Sequence, residues 1–111
     1  MNQTIAAVVM VIGCLAASAA QAQTPETLKV CKDVSHMARD IMKVRQKGAA
    51  MSEMMELTAP GDLLDGINKI LVVRAYDVPQ FQTEPSRHRA VQEFENDSYL
   101  RCYKLRTEAG K

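Results

Sequence analysis

The chain has 111 residues, 47% of them hydrophobic, 24% charged and 5% aromatic, with 14 basic against 13 acidic side chains. That length suits one small domain, and the composition excludes disordered, collagen-like and strongly basic polyanion-binding classes. Three cysteines are too few for a knottin-like scaffold or a four-cysteine zinc site.

Residues 5–20 form an uncharged, almost wholly apolar run, and the first basic residue is Lys29. The run is short for a membrane span, which takes about 20 residues. Ala20-Gln21-Ala22 places small residues where a signal peptidase reads them. The expected organisation is a signal peptide over residues 1–22 and a single exported domain over residues 23–111. Val11-Ile12-Gly13-Cys14 also resembles a relaxed lipobox. Lipidation at Cys14 is therefore an alternative, as is an uncleaved anchor, and only these would attach the chain to a membrane. Export leaves Cys31 and Cys102 as an even pair in an oxidising compartment, the periplasm.

The first helix is expected over residues 25–47. Thr24 caps it, Pro25 suits the first helical position, and Glu26 complements the positive end. Cys31, Val34, Ala38, Ile41 and Met42 share one stripe, flanked by Val30 and Met37. Gly48 is a left-handed stop. A short helix follows, capped by Ser52 and holding Met54, Met55 and Leu57. Residues 58–61 (Thr-Ala-Pro-Gly) read as a break. Asp62 caps a third helix reaching Tyr76, with Leu64, Ile67, Ile70, Leu71, Ala75 and Val78 on its inner face. Ile70-Leu71-Val72-Val73 makes this helix apolar all round, so it is expected to be the most buried element.

Residues 77–85 read as a loop bounded by prolines. A last helix then runs from near Pro85 to about Leu105, with Val91, Phe94, Ser98, Cys102 and Leu105 on one stripe. Leu100 falls outside that stripe, which suggests a kink near Asn96-Asp97. Each cysteine lies on the apolar stripe of its own helix, so a Cys31–Cys102 bridge joins the first and last helices. The expected fold is all-α: a small bundle of three to four helices stapled by one disulfide.

Chemical motifs are absent. No HExxH, CxxC, GxSxG or glycine-rich phosphate loop occurs, so no catalytic residue, metal site or cofactor is expected. The basic residues of the first helix, diluted by Asp33 and Asp40, read as a solvated face, and nucleic acid is not an expected partner. Methionine is the compositional oddity. Met51-x-x-Met54-Met55 suits gap-filling in an aromatic-poor core or an adaptable docking patch, with Cu(I) binding the lesser alternative.

Arg45-Gln46-x-Gly48, then Met51-Ser52-x-Met54-Met55-Glu56, Ala75-Tyr76-x-x-Pro79 and the segment from Phe94 to Cys102 resemble a group of short secreted proteins of proteobacteria and their phages. The resemblance covers most of residues 30–104. It implies an envelope location and an all-helical fold, and it carries no activity.

By subtraction, the expected function is that of a small exported, non-enzymatic envelope protein. It binds an envelope protein as an accessory, inhibitor or immunity-type factor. Arg45, Gln46, Met51, Met54 and Met55 form its candidate partner-binding edge. The alternative is an acid-stress holdase: full carboxylate protonation would leave about +16, enough to loosen a small bundle.

Overall fold

The computed structural model describes residues 24–57 and 63–109. The expected signal segment with Cys14, the Pro60-Gly61 break and the Asp62 cap lie outside them. Among the described residues there are four helices and no strand: α1 (Pro25–Gln46), α2 (Met51–Glu56), α3 (Leu63–Tyr76) and α4 (Glu84–Ala109). None is long and apolar enough to cross a membrane.

Local signals set the ends of α1. The Thr27 N–H donates to Thr24 Oγ1 at 3.2 Å, and Pro25 opens the helix. Gly48 adopts φ +95°, the left-handed region that L side chains resist. A Cβ there would also press to 3.1 Å from the Gln80 side-chain amide. Ser52 is not the cap of α2. The chain already turns at Gly48-Ala49, so Ala50 takes the cap position and Ser52 lies exposed within the first turn.

α1 and α4 pack antiparallel. Cys31 is bonded to Cys102 with Cα atoms 5.4 Å apart, and Arg39 lies 3.9 Å from Glu95 one helical stretch later. The disulfide fits an oxidising compartment. α3 runs alongside α1 in the same direction, with its C-terminal Tyr76 against Arg45 near the end of α1.

The core is where the stripes meet: Val34, Ala38, Ile41 and Met42 of α1, Leu71, Val72 and Ala75 of α3, and Val91 and Phe94 of α4. Met54 of α2 joins it. The stripe predicted for α1 is buried throughout.

Three further expectations fail. α3 is not buried all round: Ile70 is 60% and Val73 45% exposed, because among the described residues it packs chiefly on α1 and the short α2. Leu105 sits on the predicted stripe of α4 yet is 68% exposed, at the lip of the gap between α3 and α4. α4 runs on to Ala109, past the expected end at Leu105.

Candidate functional site: an arginine-rimmed groove between α3 and α4

The sequence-predicted edge is largely engaged inside the molecule. Arg45 donates from Nε and Nη2 to the Val78 carbonyl, both at 3.3 Å, and its guanidinium lies 4.5 Å over the Tyr76 ring. Gln46 is 2% exposed. Its Oε1 accepts from the Phe81 N–H at 2.9 Å while its Nε2 donates to the Pro79 carbonyl at 2.9 Å. The Arg-Gln pair is thus a clasp that holds the loop between α3 and α4.

The Tyr76 hydroxyl closes the same corner by donating to the Ala49 carbonyl. Burial pushes the Tyr76 phenol above its ordinary value of 10.0, partly opposed by the Arg45 charge and reinforced by Glu53. Met54 is buried in the core, Met55 is half-buried and Met51 is exposed. The three methionines therefore differ in exposure. No group of three or more His, Cys, Asp or Glu side chains able to hold a metal occurs among the described residues.

A different surface has the properties of a binding site. α3 and α4 both pack on α1 and scarcely on each other. The gap between them is a groove of about 240 Å³. Val30 and Val34 of α1 line its floor, Ile67, Ile70 and Leu71 one wall, and Cys102 and Leu105 the other. Ile70 and Leu105 stand as exposed apolar lips on opposite sides.

Three guanidiniums rim this groove: Arg74, Arg101 and Arg106. Asp97 Oδ2 accepts from Arg74 Nη2 at 2.5 Å and from Arg101 Nε at 2.9 Å. One carboxylate thereby orients two arginines and neutralises one charge. Arg106 makes no ion pair among the described residues. Asp65, farther along α3, is taken up with Lys69 at 3.0 Å. The rim carries a surplus of positive charge.

Ser98 lines the same groove. It is 2% exposed, and its Oγ has no hydrogen-bond partner among the described residues. Leaving a buried hydroxyl unsatisfied costs about 1–3 kcal/mol, which the fold tolerates here. Sequence periodicity placed Ser98 on the inner stripe correctly. The hydroxyl itself was the available signal: a polar side chain on an otherwise apolar stripe, one turn before a cysteine.

Two other cavities are less distinctive. One of about 280 Å³, near Phe81 and Phe94, has mixed walls that include Arg89, Glu93 and Asp97. One of about 210 Å³ at the far end of α1 is lined by Lys43, Lys47, Arg87 and His88, with Glu84 among them. Neither is lined by a buried polar side chain lacking a partner.

No family model matches the chain, and no match is found among the curated proteins or the solved structures.

Proposed function

We propose that this chain is an exported, non-enzymatic accessory of the bacterial envelope that works by binding another protein through the outer face of α3 and the adjoining groove. One observation carries the reading. The turn Ile70-Leu71-Val72-Val73 of α3 is apolar on every side, yet Ile70 and Val73 stand on its open face. A helix of that pattern is ordinarily buried all round, so the uncovered side calls for a partner. The disulfide supports an oxidising location, and the uncharged run at residues 5–20 supports export to reach it.

The Arg45–Gln46 clasp moves the expected binding surface. Arg45, Gln46 and Met54 are committed to the loop and core, so in this reading they hold the bundle in shape for the α3 face. Met51 and Met55 remain at the margin.

The test is recovery of the tagged protein from periplasmic extract. The native chain is expected to bring down one specific protein, and Ile70→Asp is expected to lose it. Both substituted and native chains must show the same helical circular dichroism. Equal recovery by the two, or recovery of general chaperones alone, would refute the reading.

A further inference from the structure

We infer that the groove between α3 and α4 receives an amphipathic helix of a partner protein whose apolar anchors are flanked by Asp or Glu. This rests on the reading of the chain as a protein-binding accessory, and it specifies the chemistry of the partner.

Size argues for a helix rather than a small ligand. The groove, at about 240 Å³, is below the roughly 300–1,000 Å³ of small-molecule sites. It admits one or two large side chains. A small ligand filling it would leave the Ile70 and Leu105 lips in water. A helix laid across the gap covers both lips and inserts its anchors between them. Along α3, the wall from Ile67 to Arg74 rises about 10 Å, or two helical turns, the span of anchors at i, i+4 and i+7.

Charge selects the partner's sign. Arg74 and Arg101, splayed around Asp97, mark one part of the groove, and Arg106 lies farther along α4 with no acidic partner among the described residues. Acidic residues flanking the anchors would meet these guanidiniums in charge-assisted pairs. The same rim disfavours a second copy of this chain. A two-fold contact through this face would oppose arginine to arginine.

Ser98 supplies the specific hook. Its buried hydroxyl has no partner among the described residues and lines the groove. A polar group on an inserted side chain would satisfy it.

The experiment is selection on the immobilised, disulfide-bonded protein from a displayed library of helical peptides. Enriched peptides are expected to carry apolar residues at i, i+3 or i+4, and i+7, with Asp or Glu beside them. A selected peptide is expected to lose about tenfold or more in affinity on Leu105→Asp, the size of effect typical of an interface anchor. It is expected to weaken as salt rises, and Arg106→Glu is expected to shift the selection toward Lys-bearing peptides. Both positions are exposed, so the fold is retained. Ser98→Ala is expected to keep the fold and weaken the peptide about fivefold, in line with loss of one hydrogen bond.

The inference is overturned if no peptide is enriched, if enriched peptides are neutral or basic, or if they bind Leu105→Asp as well as the native chain. It is also overturned if phosphatidylglycerol vesicles bind while no peptide does. Those failures, together with a periplasmic partner still lost on Ile70→Asp, would defeat this inference alone. Loss of that partner result would defeat the underlying reading.

Discussion

Gln46→Ala is expected to cost more than its surface neighbours because one side chain serves three structural groups. Truncation removes the acceptor of the Phe81 N–H and the donor to the Pro79 carbonyl, each at 2.9 Å, and a 3.5 Å contact from Nε2 to Met42 Sδ. Both loop groups are only part-buried, so water can reach them, and the low end of the unsatisfied-group cost applies, about 1 kcal/mol each. Lost packing of the buried stem adds about 1 kcal/mol. The expected total is about 3 kcal/mol. With a urea dependence near the lower end for small domains, about 1–1.5 kcal/mol per M, the unfolding midpoint falls by about 2–3 M. Hydrogen exchange of the Phe81 amide is expected to accelerate more than that of Ala38, deep in α1. A midpoint shift under about 0.5 M, or unchanged Phe81 exchange, would refute the clasp.

Replacing both Cys31 and Cys102 by Ser opens a loop with a sequence separation of 71. The expected loss is up to about 4.4 kcal/mol, comparable to the whole stability of a small domain, and a loss under about 1 kcal/mol would contradict the staple. Stability contributed by the neutral Tyr76 phenol is fully present below pH 10.0 and disappears as pH climbs through its raised folded value. The 295 nm titration difference between the native chain and Tyr76→Phe is expected to show a midpoint above 10.0; one below 10.0 would count against the buried corner. Ser98→Ala is expected to stabilise the isolated protein by about 1 kcal/mol by removing an unsatisfied buried hydroxyl. A clear destabilisation would mean the hydroxyl has a structural role.

What the sequence made legible was local. Thr24 and Gly48 mark the ends of α1 because a cap and a left-handed stop act within a few residues. The cysteine pairing followed from parity and from each cysteine's place on its own apolar stripe. The burial of α3 did not follow, because the all-apolar turn at residues 70–73 states a demand for partners and cannot supply them. With α1 and the short α2 its main neighbours among the described residues, Ile70 and Val73 are left open. The Arg45-Gln46 string stood out, but its role depends on Val78, Pro79 and Phe81, 33 to 35 positions away. The groove was invisible for the same reason. It arises from how far α3 and α4 stand apart on α1, and no single helix pattern encodes that spacing.

The central claim is that the α3–α4 face, rather than the methionine corner, meets the partner. It is tested most directly by a photo-crosslinking side chain placed singly at Ile70, Leu105, Met51 and Lys32 of the exported protein in living cells. The account predicts the same discrete adduct from Ile70 and Leu105 and none from Lys32 or Met51. Adducts from Met51 alone, or equally from all four positions, would contradict it.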